Sequence, residues 1–439
     1  MKVLKFGSSV LASAKQFRDV ANIIIKDKEK KIVVLSAMEG TSQELAEIAD
    51  YLYKKNADGA KELISNLEQT YQERVDELFG DKTNKNDIRK HIAEKFDEIR
   101  NYSDGIFTLF EEKRIIALGG QLCSYLMVEY LKSLNENSLN LPALSFMKID
   151  KNEEPDEYYI KENLKELLDK EEAKSVNTFI TEGSICQNSY NEVDSLGLGG
   201  NDYTAALIGA VLRAKVIEFW NDTVGIYNIN PTIVKEAQPV DALSFDEAAE
   251  LSYFLTRVLH PTCILPAKLA NVPVQLRNID QADKQGTIIS NNHTAGNIKV
   301  VASKDGITSI LIKSSRMLLA HGFLCRVFEV FENYKTSIDM ITTSEVGVSV
   351  TIDNCKNLDS ILDELKKFGT VSYAKDMTIV SVIGNLPEDN VGFQADILSA
   401  LKETPIRMIS YGGSTHNISL LIHTKDKAEV LNSLSKKLF

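Results

Sequence analysis

From residue 2 to residue 278, short apolar runs alternate with amphipathic stretches of helical period. No other feature limits the possible folds as strongly. "MKVLKF", "KIVVLSA", "PALSFMKI", "VNTFIT", "KVIEFWND" and "NVPVQLRN" have strand length and composition. Between them, "SAKQFRDVANIIIKDKEK", "SQELAEIADYLYKK", "GQLCSYLMVEYLKSL", "IKENLKELLDK", "DYTAALIGAVLR" and "SFDEAAELSYFLTR" carry apolar residues at helical spacing. Strands joined through helices run parallel, and a parallel sheet buries both of its faces. The expected architecture is therefore α/β, a mainly parallel sheet sandwiched by helices, with ligands gathered at the carboxyl ends of the strands. Residues from about 57 to 113 are charged, helical in period and free of strand signals, and read as a helical insertion.

The pattern changes near Thr287. "GTIISNNHTAGN" reads as a polar linker. Residues 305–375 then give the order βαββαβ, a ferredoxin-like unit. Residues 376–439 repeat that order but stop before a fourth strand. The spare strand "IKVVAS", in residues 298–304, lies just before the first unit and is expected to cross over and complete the second. The two units would then be intertwined, behind a first domain of residues 1–292.

A chain of 439 residues with 44% hydrophobic content supports two or three cored domains. A net charge of −12 argues against a nucleic-acid partner. The apolar runs are too short for a membrane span, and "MKVLKFGSSV" lacks the apolar core of a signal peptide, so a cytoplasmic protein is expected. Cys123, Cys186, Cys263, Cys325 and Cys355 have no metal spacing and read as reduced thiols. His260, in "VLHPT", reads as a structural residue at a helix boundary.

Three strand–loop segments fit one phosphate-handling site. "LKFGSS" puts Lys5 at a strand end before Gly7, Ser8 and Ser9, giving a point charge, backbone amides and hydroxyls. "LGLGGNDYTAAL" is a glycine-rich nest opening a helix, with Asn201 and Asp202 at its start. "FWNDTVGIYNINP" is a strand end followed by polar residues that could line a nucleotide pocket. Taken together, these segments point to phosphoryl transfer.

The same motifs, in the same order, resemble those of the aspartokinases over essentially the whole chain. The family's KFGGTSV is similar to "KFGSSV", its GRGGSDYTAA to "GLGGNDYTAA", and its WTDVPGIY to "WNDTVGIY". "VVLSAMEG", "FDEAAELSYFLTRVLHP" and the carboxyl-terminal "SSRMLLAHGFLCRVFEVF", "SIDMITTSEV" and "IRMISYGGSTHNIS" continue the likeness, the last three to the paired ACT units of the lysine-sensitive branch. The resemblance implies an amino-acid-kinase-type fold with two ACT units. It also implies transfer of the γ-phosphoryl group of ATP, with Mg2+, to the side-chain carboxylate of L-aspartate, in lysine, threonine and methionine synthesis.

Carried over by motif, Lys5 would stabilise the transferred phosphoryl group and Asp202 would hold the substrate ammonium and order the site. Ser36, Ser42, Gln121, Leu198 and Asn201 would contact the substrate. Gly7, Ser8, Gly199 and Gly200 would cradle phosphates, with Asn221, Asp222, Tyr227 and Arg257 on the nucleotide side. Magnesium would be held largely by ATP phosphates and waters, with no protein cage. L-lysine as allosteric ligand would meet Met317, Gly322, Phe323, Leu324, Ile338, Asp339, Thr343, Ser344 and Glu345, with Asp339 and Glu345 near its ε-ammonium. In the family such units pair across a dimer.

The departures from the family pattern cluster in the first domain. Leu198 and Thr232 stand where the family has arginines, Gln121 where it has a glutamate, Ser184 a phenylalanine, Asn221 a threonine and Arg257 a lysine. Two further readings follow from them. One is a catalytically impaired paralogue that binds lysine or nucleotide and regulates a partner. The other is a kinase of a different small acid.

Overall fold

The computed structural model describes residues 1–80, 84–197, 199–223, 225–255, 259–292, 298–314, 321–386 and 391–439. They form two compact units. One comprises Met1–Ile226 with Leu255–Asn291, and the other Tyr227–Phe254 with Asn292–Phe439.

The first unit contains strands β1 (Lys2–Phe6), β2 (Lys31–Leu35), β3 (Ser138–Asn140), β4 (Thr178–Glu182), β5 (Ile185–Gln187), β6 (Val193–Ser195) and β7 (Ile217–Asn221). A short β8 (Ala242–Ser244) falls in the second unit, and β9 (Val274–Asn278) and β10 (Thr287–Ser290) return to the first. Within the first unit the sheet order is β3-β4-β2-β1-β7-β9-β10. Every pair is parallel except β9–β10. Burial follows from that geometry. Residues Lys31–Leu35 are all buried, as a central strand covered on both faces requires.

The first unit's helices are α1 (Ala14–Lys26), α2 (Thr41–Tyr53), α3 (Ala57–Leu78), α4 (Lys85–Arg100), α5 (Leu109–Ser133), α6 (Glu157–Asp169), α7 (Glu171–Lys174) and α8 (Gly200–Val211). The second unit opens with α9 (Phe245–Ser252), and α10 (Ile264–Ala270) belongs to the first. Phe6, Phe17, Tyr71, Phe96, Leu126 and Trp220 share one buried cluster, so α3 and α4 are packed into the core.

The fold class expected from the alternation holds, and the differences from the sequence reading are local. "PALSFMKI" is not a strand: Ala143–Ser145 form a 3₁₀ turn, and the edge strand is β3 just before it. Pro142 has no N–H for a ladder, and the turn is closed by the Ser145 and Phe146 amides on the Pro142 and Ala143 carbonyls. The linker reading of "GTIISNNHTAGN" fails at its start, because Thr287–Ile289 pair antiparallel with β9; residues 293–297 lie outside the described residues. The helical run does not end at residue 113 either. A capping box of Thr108 and Glu111 starts α5, which continues unbroken through Gln121 to Ser133.

The second unit holds one six-stranded sheet, ordered β12-β13-β11-β14-β16-β15. Its strands are β11 (Ile298–Lys313), β12 (Ile341–Ser344), β13 (Gly347–Ile352), β14 (Thr370–Gly384), β15 (Met408–Ser410) and β16 (Asn417–His423). Its remaining helices are α11 (Phe323–Asn333), α12 (Leu358–Leu365), α13 (Phe393–Ala400) and α14 (Lys427–Leu438). β11 and β14 are antiparallel along nearly their full lengths. The later half of β11 pairs with β13, and the later half of β14 pairs with β16. The early half of β11, containing "IKVVAS", therefore completes the sheet of the second ferredoxin-like half. The crossover is continuous backbone with register shifts at Lys304–Ser309, where Gly306 takes a φ of +77°.

Candidate active site

β1 and α8 bring the charges together. Lys5 lies one residue before the end of β1, its backbone paired with Val34 and Phe219 on the flanking parallel strands. Asp202 sits in the first turn of α8, where the free amides and the helix dipole favour a carboxylate. Lys5 Nζ lies 2.6 Å from Asp202 Oδ1, with the two side chains 10% and 14% exposed. At Gly7, a Cβ would lie 3.5 Å from Lys5 Nζ and 3.6 Å from Asn221 Oδ1. The ammonium and the Asn221 amide therefore flank the space that Gly7 leaves empty. Ser8 follows in a 3₁₀ turn over Ser8–Leu11, and the Ser36 amide donates to the Phe6 carbonyl at the end of β1. Four of the sequence-derived site residues thus meet at one sheet edge: Lys5, Gly7, Asp202 and Asn221.

The glycine-rich segment is built by close packing. Gly199 caps α8 at φ +73°, and a Cβ there would overlap the His260 ring. A Cβ on Gly200 would overlap the Ser184 hydroxyl, and one on Gly183 would overlap the Asn201 side chain. Ser184 itself has φ +68°, held by its amide donating to Thr204 Oγ1 at 2.9 Å. The loop after β4 is thus locked onto the start of α8. His260 keeps a structural role, capping the 3₁₀ turn Pro261–Cys263 through Thr262, but its position over Gly199 was not foreseen. Cys263, which the sequence marks only as a reduced thiol, is free and buried. Burial pushes its thiol well above the usual range, the Asp202 charge adds to that, and Lys5 opposes it. The thiol is therefore within electrostatic reach of the central pair.

Other expected residues are placed differently. Ser42 is exposed in the first turn of α2, and Asp222 is exposed just after β7. Tyr227 falls in the second unit, bridged to Pro239. Thr232 is exposed and bonds Asn230 through its amide and hydroxyl. Leu198, Arg257 and Met317 lie outside the described residues.

Gln121, on α5, is tied to a group the sequence did not mark. Glu182, at the end of β4, is 3% exposed. Burial raises its carboxyl above the usual range, against the lowering effect of the Ala143 amide. That amide donates to Glu182 Oε2 at 2.7 Å. Ser124 Oγ lies 3.2 Å from Glu182 Oε1 and 3.0 Å from the Gln121 carbonyl.

In the second unit, Gly322 caps α11 at φ +76°. Phe323 packs its side chain into the core, leaving its backbone at the helix start, while Leu324 is exposed. Ile338 packs against the same core. Asp339 precedes β12, its amide donating to the Thr351 carbonyl at 2.9 Å. Burial pushes its carboxyl up to about 6, while Tyr253 lowers it. Thr343, Ser344 and Glu345 lie at the exposed β12–β13 turn, where the Ser344 hydroxyl bonds the Gly347 carbonyl.

The amino acid kinase family matches residues 1–278, and an ACT domain matches residues 380–438. Aspartokinase 1, chloroplastic, of Arabidopsis thaliana is 31% identical over 465 residues, covering 100% of this chain and 80% of that protein. The crystal structure of E. coli aspartokinase III in complex with aspartate and ADP, in the R-state, superposes with a TM-score of 0.82 at 28% identity, covering 100% of both chains. The same enzyme with lysine and aspartate, in the T-state, gives a TM-score of 0.85 at 27% identity, covering 100% of this chain and 99% of that one. Together with the kinase-type sheet and the paired ACT-type sheet, these matches establish that the chain belongs to the aspartokinase family.

Proposed function

We propose that the chain is an ATP-dependent aspartate kinase. The observation that carries the reading is the Lys5–Asp202 pair, held at the carboxyl edge of a parallel sheet between two glycine-bearing loops. An oxygen of the substrate's side-chain carboxylate attacks the γ-phosphorus of ATP, the bond to the β-phosphate oxygen breaks, and ADP leaves. Little covalent work falls to the protein, so positioning and charge neutralisation dominate. Lys5 meets the charge of the transferred group, Asp202 orients Lys5 and faces the substrate ammonium, and Gly7, Ser8, Gly199 and Gly200 present backbone to phosphate oxygens. Magnesium suits this oxygen-rich site as a partner of the nucleotide phosphates, whose charge it neutralises. Among the described residues no group of three or more His, Cys, Asp or Glu is arranged as a cage for it.

The kinase function is assigned to residues 1–292, and the regulatory one to residues 305–375 together with 298–304 and 376–439. L-lysine is the proposed effector, with its ε-ammonium at Asp339 and its carboxylate at the start of α11. The chain is proposed to act as a cytoplasmic homodimer paired through these ACT units. The test is a coupled ADP-release assay with purified protein, MgATP and L-aspartate, with and without L-lysine. Turnover that lysine suppresses is expected. Absence of turnover, with lysine still stabilising the fold, would favour a regulatory paralogue instead, a reading for which the neutral Gln121 and the side-chain-bound Thr232 speak.

A further inference from the structure

The turn that begins at His260 fixes both the backbone and the ring of that residue. Pro261 follows it and keeps it extended, at φ −88° and ψ +140°. Its carbonyl accepts the Cys263 amide at 3.2 Å and the Cys263 thiol at 2.9 Å. The Thr262 amide donates to Nδ1, and the Thr262 hydroxyl lies 2.9 Å from the same atom. A backbone amide can only donate, so Nδ1 accepts and the proton of the neutral ring sits on Nε2. Against this clamped ring lies Gly199, where a Cβ would overlap His260 Cγ and Nδ1. Gly197 and Gly199 have φ of +72° and +73°, and the Gly200 amide closes the turn on the Gly197 carbonyl at 3.0 Å. Glycine populates both signs of φ about equally, so nothing in Gly199 itself selects the observed conformation. Gly200 meets a different wall, the Ser184 hydroxyl, and Ser184 is tied back to α8 through Thr204. His260 is the outside constraint on Gly199.

We infer that His260 is a positioning residue: its ring, anchored by Thr262, holds Gly199 in the left-handed conformation that aims the first amides of α8 at a nucleotide phosphate. Asp202 follows Gly199 within one helical turn, so the ring contact and the Lys5–Asp202 pair share one short stretch of backbone. The body of α8 does not depend on the ring. Thr204–Gly209 are buried, and Thr204 Oγ1 donates to the Gly200 carbonyl at 2.8 Å. Loss of the ring therefore frees the cap and leaves the helix in place. Ordering the cap before the nucleotide arrives removes that cost from binding. The inference rests on the aspartate-kinase reading for the phosphate that the loop receives.

The test uses the full-length protein, calorimetric titration with MgATP in the absence of L-aspartate, and ADP-release kinetics. His260→Ala weakens MgATP binding and raises the KM for MgATP by about 10- to 100-fold, since a misplacement of about 1 Å costs up to about 10². The KM for L-aspartate is unchanged. His260→Asn keeps a capping acceptor for the Thr262 amide but lacks the ring. It therefore restores the melting temperature lost in His260→Ala and does not restore MgATP affinity. If stability and affinity return together in His260→Asn, the residue serves folding alone and the inference is overturned. MgATP affinity unchanged by His260→Ala overturns it as well. A wild type that binds MgATP in a His260-dependent way yet releases no ADP with L-aspartate sinks the kinase reading and leaves the role of His260 standing. A wild type with no affinity for MgATP overturns both.

Discussion

Replacing Lys5 by methionine isolates the charge at the centre of the site. At 2.6 Å the Lys5–Asp202 pair has a gross attraction of about 6 kcal/mol at an effective dielectric of about 20, much of it offset by desolvation. Breaking a buried pair by removing one partner typically costs about 3–5 kcal/mol, because the other charge is left uncompensated. Asp202 sits in the first turn of α8, where the dipole returns about 0.3–1 kcal/mol, so the expected stability loss is about 2–4 kcal/mol. The catalytic loss is separate. Removing one preorganised donor from a developing charge costs about 10²–10³ in kcat. Urea denaturation measures the first effect, and coupled ADP release at saturating MgATP and L-aspartate measures the second. Asp202→Asn provides the contrast: it strands Lys5, so nucleotide phosphate should restore stability to that variant and not to Lys5→Met. If Lys5→Met lost stability but kept kcat within about threefold of wild type, Lys5 would be a structural cation and its proposed role refuted.

Gly199→Ala combines a positive φ, worth about 1–2 kcal/mol, with overlap onto His260. It should abolish turnover, and His260→Ala in the same chain should restore part of it; no rescue would mean the overlap is not the cause. Glu182→Ala orphans the Ala143 amide and should cost about 1–3 kcal/mol in urea denaturation, whereas Glu182→Gln keeps an acceptor for it and should be close to neutral. Equal losses in the two variants would contradict the hydrogen-bond account. Asp339 titrates at about 6, above its ordinary 3.8, so the folded state binds more protons than the unfolded one between those values. Its contribution therefore favours folding at low pH and is lost as pH rises through about 6. A lysine ammonium needs the ionised form, so lysine-induced thermal stabilisation should grow from pH 5 to pH 7. Asp339→Asn should remove that growth, and a pH-independent lysine shift in the wild type would exclude Asp339 as the ammonium partner.

The periodicity of the chain made the layered sheet legible, because strand length, helix spacing and parallel connection constrain one another locally. "PALSFMKI" was illegible for the opposite reason. An apolar run containing a proline fits a strand or a turn, and only the pairing of Ser138–Asn140 with β4 decides between them. Lys5 and Asp202 could be singled out, but not their contact, which depends on where β1 and α8 end in space. Glu182 carried no signal, since nothing local marks a carboxylate that meets its partners from α5 and from the turn after β3 only on folding. The His260 ring over Gly199 belongs to the same class.

The glycines around the site separate by physical cause. Gly199 needs its backbone conformation, and it needs room beside His260. Gly183 and Gly200 need only room, against Asn201 and Ser184. Gly7 needs neither to reach its observed φ of −74°, which any residue adopts, and its would-be Cβ meets ordinary van der Waals distances. What a side chain there would fill is the space beside Lys5 Nζ and Asn221 Oδ1. The Lys5 ammonium has three donors, and Asp202 takes one. Among the described residues the other two have no partner, which leaves them to an anion over Gly7. In the proposed kinase, space at Gly7 and orientation by Asp202 are two halves of one arrangement: the carboxylate fixes the ammonium, and the missing side chain would let a phosphoryl oxygen reach it.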